Sequence, residues 1–442
     1  MQKIRKNGAS LLITVDCGIT AVGEVEFAKT IGLDIVITDH HTCKEDIPKA
    51  YAVINPRQPD CNYPCKHLAG VGVAFKLMLA IVLELGLNTK EYFLKYIEFV
   101  AIGTIADVVP LTDENRIFVS VGVNRIMTTA NFGLNALISS AGIYGKQLTA
   151  GMISFILAPR INAAGRVGDA ELGVRLLISE SSEEACKIAL QLESENRERQ
   201  MTEQEILADA LNMIENDPDF SNRKVFVLAK SGWHHGVIGI VASRIVDKYN
   251  RPAILLSLSD DNICKCSGRS IKGFNLFDAL TKTSEYLIKY GGHELASGLS
   301  IHADYLNDFT TQINNIAADS MSEELLIPSI NIDSFLNIND ITIENAKKLS
   351  VLEPFGMGNS QPVFALINAN MVCARSLSNG RHCRLTLSKD GKYIDLLAFG
   401  VGDSLDKLVI GSKVDVAFTM DVSSYNGCLQ LQLILKDIRY SI

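Results

Sequence analysis

Three aspartates and two adjacent histidines have the residue types and positions that divalent-metal chemistry requires. Asp16 directly follows the run LLITV. Asp39, His40 and His41 directly follow the run DIVIT, and Asp107 lies in the apolar stretch GTIADVV. Carboxylate oxygens and imidazoles are the ligands that hold paired metal ions for phosphate-ester chemistry. A lone aspartate after a strand is usually a turn or a helix cap, but buried histidines and aspartates need partners. The set as a whole therefore favours a metal site over separate structural roles.

Two short apolar runs would place these residues at one edge of a sheet. Residues 11–15 and 34–38 are continuous apolar or β-branched runs, which is typical of parallel strands covered on both faces. Between them, residues 21–32 have helical spacing and end at Gly32, a residue typical of a helix C-cap. In such a β-α-β unit, ligands collect at the carboxyl ends of the strands. The polar residues that follow the two runs are therefore expected to meet.

The rest of the sequence predicts an α/β protein of several domains, as expected for 442 residues. Residues 68–87 and 91–109 have helical patterns, and residues 181–216 form a charged helical pattern that would span roughly 54 Å. Strands and helices alternate again over 222–320, whereas the runs after Ile330 indicate a small antiparallel β-barrel. We predict a parallel-sheet core at 1–178, a connecting helix at 179–218, a second α/β domain at 219–322 and a barrel at 323–442.

The composition is that of a soluble globular protein. The net charge is −8, with 47% hydrophobic and 21% charged residues. The apolar stretch from Val71 to Leu87 is interrupted by Lys76 and Glu84, which indicates a buried helix and no membrane span. No secretory signal precedes the ten cysteines, so we expect a reduced, cytoplasmic protein. The acidic balance does not exclude nucleic acid as a partner, because a local groove can be basic.

Three stretches carry a resemblance to a known family. TVDCGI, ITDHHT and AIGTIADVVPL, in this order, resemble the second, third and fourth motifs of the DHH phosphoesterases, specifically of RecJ-type single-strand DNA exonucleases. The resemblance continues through LAGVGVAFKL, APRINAAGR, GWHHGVIGIVASRI, CSGRS, YGGHELASG and EPFGMGNSQPVF, and so covers essentially the whole chain. It implies that Asp16 bridges two Mn²⁺ or Mg²⁺ ions and that His40 and Asp107 complete the shell of one ion. It also implies that His41 contacts the scissile phosphate and that Asp39 supports the histidines.

The sequence departs from the family in one respect, which concerns the first motif. It consists of a strand and an Asp-x-Asp-Gly-type turn that supplies the remaining metal ligands, and it is not found in the fifteen residues before Asp16. Since every later motif is intact, we expect an N-terminally incomplete sequence and not a degenerate protein. The second ion would then lack most of its ligands, so the chain as given is expected to be inactive or nearly so.

Further residues are candidates for contacts with the substrate. CSGRS and YGGHELASG resemble the substrate-binding elements of the domain that is appended to DHH cores, and glycines and an arginine there suit a phosphate. The candidates in these two stretches are Ser267, Arg269, Gly291, Gly292 and His293. In APRINAAGR, Arg160, Asn162 and Arg166 would either line the path of the strand or form surface salt bridges.

Several other signals leave alternatives open. Trp233 would either stack on a base or pack at a strand-to-helix turn. Cys61, Cys65 and His67 are too few to favour zinc. The C-terminal barrel resembles an OB-fold, whose usual task is to hold single strands with basic and aromatic residues. Its possible contacts are Arg375, Arg381, His382 and Tyr425.

The resemblance implies a metal-dependent 5′-to-3′ exonuclease that hydrolyses single-stranded DNA in repair and recombination. Single-stranded DNA would be the substrate, and a single-strand-binding protein and a helicase would be its partners. One alternative is a non-catalytic single-strand-binding protein of the same family. Another is a DHH phosphatase that acts on small nucleotides, but such a substrate would not need the barrel.

Overall fold

The computed structural model describes residues 1–259, 262–377, 382–400, 409–425 and 428–441. The helices are α1 (Gln2–Lys6), α2 (Val22–Thr30), α3 (Gly70–Glu84), α4 (Thr89–Ala106), α5 (Asp113–Ile126), α6 (Phe132–Ser140), α7 (Ala150–Met152), α8 (Ala158–Val167), α9 (Glu171–Ile178), α10 (Ser182–Glu215), α11 (Ile238–Tyr249), α12 (Leu276–Lys282), α13 (Leu306–Ser320) and α14 (Ile343–Leu349). The strands are β1 (Leu11–Val15), β2 (Asp34–Thr38), β3 (Ala52–Ile54), β4 (Phe226–Ser231), β5 (Ala253–Leu258), β6 (Ile263–Arg269), β7 (Leu287–Gly292), β8 (Ala296–His302), β9 (Ser334–Phe335), β10 (Phe364–Leu377), β11 (His382–Lys389), β12 (Lys392–Phe399), β13 (Lys413–Tyr425) and β14 (Cys428–Tyr440).

These elements form two units. The first contains Met1–Ala130, Gly145–Ala158 and Ile330–Ile442, and the second contains Asn131–Tyr144 and Pro159–Ser329. The domain boundaries that the sequence indicates stay predictions. Two of the predicted barrel contacts, Arg381 and the side chain of Tyr425, lie outside the described residues.

A parallel sheet of three strands, in the order β1-β2-β3, organises the beginning of the first unit. β1 and β2 coincide with the two predicted runs, and Val15 pairs with Thr38 at their carboxyl ends. Ile35 and Ile37 of β2 are buried. The expectation that both strands are covered on both faces is wrong for β1, whose Ile13 and Val15 are exposed. The reason is that Leu11, Ile13 and Val15 alternate along the strand and share one face, and no element among the described residues covers that face. β1 is also an edge strand, with β2 as its one partner among the described residues.

Helices α3, α4 and α5 form the apolar core beside this sheet. Phe75, Phe93 and Phe118, one from each helix, pack with their ring centroids 5.5 to 6.3 Å apart. The apolar stretch after Val71 is thus helical, as predicted, but only part of it is buried. Val73 and Phe75 contact this core, whereas Ile81, Leu83 and Leu85 are exposed. Across the described residues, we find no helix whose length and apolar character would let it cross a membrane.

The C-terminal part of the first unit is a closed β-barrel. Its strands follow the order β11-β12-β14-β13-β10, and pairing of β11 with β10 closes the barrel. Alternate residues of each strand fill the interior, for example Leu385, Leu387, Leu396 and Phe418. The alternating runs of the sequence therefore gave the predicted OB-like architecture.

The second unit is built on a mixed sheet with the order β4-β5-β6-β8-β7. The long charged pattern is a helix of 34 residues, α10, which buries one face with Ile188, Leu192 and Ile206. Trp233 is buried, and its indole N–H donates a hydrogen bond to Asp209 Oδ2 at 3.1 Å. Of the two alternatives for Trp233, the structure shows the second, a residue packed in the turn between β4 and α11.

Candidate metal centre

The carboxyl-terminal edge of the parallel sheet brings together the residues predicted to bind metal. Asp16, which follows β1, and His40 and His41, which follow β2, each place one ligand atom within 4.8 Å of the others. His40 Nε2 lies 3.2 Å from Asp16 Oδ1 and 3.4 Å from Asp107 Oδ2. The imidazole of His40 thus lies between two carboxylates that are 91 positions apart in the sequence.

His40 is buried and has no ordinary hydrogen-bond partner. Its side chain is 8% exposed, and neither ring nitrogen makes a hydrogen bond with good geometry among the described residues. Burial lowers the pKa of His40, but its contact with Asp16 and the charges of Asp107 and Asp16 outweigh burial and raise that pKa overall. Buried polar atoms without partners are rare in proteins. A ring nitrogen directed at two carboxylates suits a metal ligand better than it suits a core histidine.

Asp39 organises the turn that carries the two histidines. Its Oδ2 accepts the backbone N–H of Ile19 at 2.9 Å, and its Oδ1 accepts the backbone N–H groups of His40 at 2.7 Å and of His41 at 3.2 Å. His41 Nδ1 also lies 2.7 Å from Asp39 Oδ1. Burial alone would raise the pKa of Asp39, but these hydrogen bonds outweigh burial and hold it below the ordinary value. With Nδ1–H donated to Asp39, Nε2 of His41 keeps its lone pair for a ligand.

The sequence indicated a helix over residues 91–109, which would place Asp107 inside the helix. In the structure Asp107 lies at the end of the helix instead. It is the C-cap residue of α4. The next residue, Val108, has a φ of 57°, and Asp16 has a φ of 60°. Non-glycine residues rarely adopt this left-handed conformation, which is concentrated at functional sites. Burial raises the pKa of Asp107; the charge of His40 opposes this effect, and the charge of Asp16 adds to it.

Gly70 makes room for the Asp16 carboxylate. It is the first residue of α3, and a Cβ atom at this position would lie only 1.9 Å from Asp16 Oδ1. Sequence reasoning did not single out this glycine. A glycine at the start of a long apolar helix, where a capping residue or a good helix former is expected, was the available signal.

Asn115 joins the segments before α3 and after Asp107. It is fully buried in α5. Its Oδ1 accepts the backbone N–H of Ala69 at 3.3 Å, and its Nδ2 donates to the carbonyls of His67 at 2.6 Å and of Pro110 at 3.0 Å. One amide thereby fixes the position of the α3 N-terminus relative to the chain that leaves the metal centre. Nothing local in the sequence marks this role.

The segment before the barrel contacts the same region. The backbone N–H of Leu111 donates to the carbonyl of Met357 at 2.7 Å. Arg116 Nη2 donates to the carbonyls of Val351, Leu352 and Glu353 at 3.3, 2.9 and 3.2 Å. The motif EPFGMGNSQPVF therefore packs against the residues that follow Asp107.

In the second unit, Ser267, Arg269 and Arg166 gather beside the N-terminus of α11. Arg269 Nη1 donates to Ser267 Oγ at 3.1 Å, and Arg166 Nη1 donates to the carbonyl of Gly236 at 3.0 Å. A Cβ atom at Gly239, in the first turn of α11, would lie 2.7 Å from Ser267 Oγ. Burial, followed by the charge of Arg166, lowers the pKa of Arg269. Neither arginine has a carboxylate within salt-bridge distance among the described residues, and such a cationic site at a helix N-terminus suits an anion.

The other predicted substrate contacts of the second unit are placed differently. Gly291 and Gly292 end β7 and His293 begins the turn to β8, where the His293 backbone N–H donates to the carbonyl of Ala296 at 2.8 Å. Ala296 pairs with Arg269 in the neighbouring strand, so this turn lies beside the arginine. Asn162 is exposed on α8. Arg160 forms an ion pair with Glu193 at 2.6 Å, the alternative that the sequence left open for it.

The cysteines do not form a second metal centre within the part of the chain that the structure describes. The one group of three or more candidate ligands found there is that of Asp16, His40 and His41. Cys61, Cys65 and His67 form no such group, and Cys264 and Cys266 are buried in β6.

Comparison with known proteins places these features in a family. Residues 2–104 match the DHH family N-terminal domain, residues 222–319 match the DHHA1 domain, and residues 332–437 match the RecJ OB domain. The single-stranded-DNA-specific exonuclease RecJ of Bacillus subtilis is 39% identical over 442 residues, which is 100% of this chain and 55% of that protein. RecJ of Haemophilus influenzae is 34% identical over 98% of this chain and 78% of its own length.

A solved structure agrees with the sequence relatives. The crystal structure of Thermus thermophilus RecJ in complex with Mn²⁺ has a TM-score of 0.87 and 31% identity, over 100% of this chain and 64% of that one. The chain thus spans somewhat more than half of the Bacillus relative and about two thirds of the Thermus structure. With DHH, DHHA1 and RecJ OB domains in this order, and with similarity to these exonucleases over 98–100% of its own residues, the chain belongs to the RecJ family.

Proposed function

We propose that this chain carries most of the catalytic machinery of a metal-dependent exonuclease that degrades single-stranded DNA in the 5′-to-3′ direction. The observation that carries this proposal is the buried His40, whose Nε2 lies between Asp16 and Asp107 and makes no hydrogen bond among the described residues. Family resemblance supports a role in DNA repair and recombination in the cytoplasm, together with a single-strand-binding protein and a helicase.

Mn²⁺ or Mg²⁺ is the ion that these residues would hold. The RecJ structures of Thermus thermophilus are complexes with Mn²⁺ and with Mg²⁺. Asp16, His40 and Asp107 offer two carboxylates and an imidazole, which fits either ion. When bound, such ions lower the pKa of a water molecule and neutralise charge on a phosphodiester. Of the remaining residues, His41 would contact the scissile phosphate through Nε2, and Asp39 would keep His41 in the required tautomer.

The cationic group in the second unit would bind a phosphate of the strand. Arg166 and Arg269 lack carboxylate partners among the described residues, and Ser267 adds a hydroxyl beside the N-terminus of α11. A guanidinium can form two parallel hydrogen bonds with phosphate oxygens. We propose that this site receives the 5′-terminal phosphate of the strand.

The barrel would hold the rest of the strand on the outer face of β11 and β12. His382 pairs with Phe399 across these strands, with their ring centroids 5.2 Å apart. Phe399 and Tyr393 are both exposed on β12. On the strand next to β11, Arg375 is exposed and lies opposite Arg384, whose guanidinium forms an ion pair with Asp395 at 2.5 Å. Arg375 is therefore the cation of this face that would be available to an anion. Exposed aromatic rings together with arginines are the usual features of a single-strand platform.

Full activity would need more ligands than the described residues supply. Asp16, His40 and Asp107 would supply ligands for one ion and only part of the ligand set of a second. The free edge of β1 next to Asp16 is the place where a further strand could add carboxylates. We therefore expect these 442 residues by themselves to hydrolyse DNA very slowly or not at all.

The experiment that tests the proposal adds a strand at that edge. A segment of the type that the resemblance implies for the first motif, a strand followed by an Asp-x-Asp-Gly turn, is fused before Met1, and release of mononucleotides from 5′-phosphorylated single strands is measured with Mn²⁺. The fusion should release mononucleotides, Asp107→Ala should abolish release, and Glu24→Ala, at an exposed position of α2, should have no effect. An unchanged rate for Asp107→Ala would contradict the metal assignment. Vigorous cleavage by the unfused chain would contradict the incomplete second site.

A non-catalytic single-strand-binding protein is the second candidate, and the exposed aromatic face of the barrel, with Tyr393 and Phe399, is the observation that favours it. This function predicts binding that weakens steeply with salt and no cleavage even by the fused chain with Mn²⁺. A phosphatase for small nucleotides is disfavoured, because it would make no use of the aromatic face of the barrel.

A further inference from the structure

Arg57 is a cation beside the metal centre that the functions proposed above leave unused. It lies two residues after Asn55, just beyond the end of β3, which pairs in parallel with β2. The carboxyl end of β3 is therefore at the same sheet edge as Asp16 and His40. Asn55 connects Arg57 to the histidine turn, because Asn55 Nδ2 donates to the carbonyl of His41 at 2.9 Å and Asn55 Oδ1 accepts the backbone N–H of Arg57 at 2.8 Å.

The guanidinium of Arg57 is held by neutral groups only. Its Nε donates to the carbonyl of Lys66 at 3.4 Å, and its Nη1 donates to Thr42 Oγ1 at 3.2 Å. Nη2 makes no hydrogen bond, and no carboxylate lies within 4.0 Å of this side chain, within the described residues. Arg57 is half-buried, and within the described residues its charge is not offset by an ion pair.

The contacts of Arg57 place it on the histidine side of the metal centre. Its side chain donates to the hydroxyl of Thr42, and its backbone is connected through Asn55 to the carbonyl of His41. Thr42, which Arg57 contacts, is the neighbour of His41 in the sequence. The guanidinium is thus placed close to the position that His41 would share with a scissile phosphate.

We propose that Arg57 binds the phosphodiester that is cleaved, with Nη2 and the remaining N–H of Nη1 donating to its non-bridging oxygens. This inference rests on the proposed exonuclease function. A fixed cation beside the phosphate would stabilise the negative charge that grows during hydrolysis, as preorganised donors do in other phosphoryl-transfer sites. The carbonyl and the hydroxyl that hold Arg57 orient the guanidinium without neutralising it, so its full charge is available to the substrate.

Binding of short single strands with one neutral linkage tests this proposal. Two 5′-phosphorylated oligothymidylates are compared by fluorescence anisotropy with Mn²⁺, one of them carrying a methylphosphonate at the first linkage. For the wild-type chain, neutralising that linkage should weaken binding about tenfold, the usual effect of a charge-assisted hydrogen bond. For Arg57→Gln the same change should alter affinity less than about twofold, because the partner is already gone. Arg57→Lys should recover part of the sensitivity to the neutral linkage, since lysine keeps the positive charge but cannot form two parallel hydrogen bonds.

Lys44→Gln is the matched control, because it removes one exposed positive charge from the loop after the histidines. It should respond to the neutral linkage like the wild-type chain. Equal sensitivity of Arg57→Gln and wild type would overturn the role of Arg57 while leaving the exonuclease function standing. Loss of Mn²⁺ binding or of the folded state in Arg57→Gln would also overturn it, in favour of a structural role. If the wild-type chain failed to bind either strand, the proposed function itself would fall, and the role of Arg57 with it.

Discussion

Asp39 and Asp107 both contact the histidine pair, yet their surroundings shift their pKa values in opposite directions. Asp39 accepts three backbone N–H groups and lies against His41 Nδ1, and its pKa is lowered although burial opposes this. Asp107 lies at the end of a helix, and burial raises its pKa. Its Oδ2 lies 3.4 Å from Nε2 of His40. Asp39 is thus ionised and saturated by protein donors, whereas Asp107 needs an external cation to favour its charge. This division agrees with Asp107 as a ligand and Asp39 as a support.

Replacing Asp39 by asparagine should therefore damage the turn and, through it, the metal centre. One carboxylate oxygen becomes an NH₂ group that faces N–H donors, so we expect the free energy of unfolding to fall by about 1–3 kcal/mol. Mn²⁺ affinity should fall by about tenfold to a hundredfold, as is typical when a group that orients a ligand is lost. Urea unfolding and calorimetric Mn²⁺ titration measure the two effects. Asp46→Asn, at an exposed position of the same loop, should change neither, and equal losses in both variants would contradict the role of Asp39.

Glu98 allows a pH test that is independent of the metal centre. It is buried in α4, where burial raises its pKa above 4.5, although a hydrogen bond from Thr129 and the charge of Arg125 oppose the shift. A raised pKa means that the folded state prefers the protonated form, so ionisation costs stability as the pH rises above 4.5. Glu98→Gln should therefore gain stability relative to wild type as the pH rises from 4 to 7, with the difference constant at lower pH. Urea unfolding across this range measures the difference, and a difference that did not change between pH 4 and 7 would contradict the effect of burial on Glu98.

At the scale of elements, the residue after β1 and the first residue of α3 are in such close contact that only glycine fits at the start of the helix. Gly70→Ala should improve helix propensity slightly, yet the new Cβ would collide with the Asp16 carboxylate, whose Oδ1 would lie 1.9 Å away. We expect Mn²⁺ affinity to fall by at least about tenfold, because Asp16 must rotate out of position. Calorimetric Mn²⁺ titration measures this loss.

Gly23→Ala is the control for that experiment. Gly23 lies in α2, and a Cβ there would meet nothing within 4 Å. This variant should gain up to about 1 kcal/mol of stability from helix propensity and bind Mn²⁺ normally. Normal Mn²⁺ binding by Gly70→Ala as well would show that Asp16 is not held in place by the start of α3.

The sequence predicts local elements of this fold well and long-range contacts poorly. The runs LLITV and DIVIT coincide with β1 and β2, because a short continuous run of apolar and β-branched residues is by itself typical of a strand. The exposure of β1 was not predictable, because coverage depends on neighbours that a run of five residues does not specify. Asp16, His40 and Asp107 could be selected by chemistry and resemblance. Gly70 and Asn115 could not, because each contacts a segment far away in the sequence.

For the whole molecule, the net charge of −8 hides separate cationic sites. Arg57 in the first unit and Arg166 and Arg269 in the second have no carboxylate partner within the described parts of the chain. Acidic residues elsewhere keep the overall charge negative, which limits non-specific attraction to nucleic acid. Affinity for a strand would then come from a few defined phosphate contacts, and its salt dependence should reflect that small number.

The two units should respond to different ligands, and hydrogen exchange measured by mass spectrometry can follow both. A ligand at a hundred times its Kd stabilises the bound form by about 2.7 kcal/mol, which slows exchange through opening of that form about a hundredfold. Mn²⁺ should slow exchange at the ends of β1 and β2 and, through the hydrogen bond from Leu111 to Met357, in residues 350–359 as well. Inorganic phosphate should slow exchange at the start of α11 and in β6. Asp107→Asn should remove the first effect alone and Arg269→Gln the second alone. Protection by Mn²⁺ that stopped short of residues 350–359 would show that the contact before the barrel does not stabilise the metal centre.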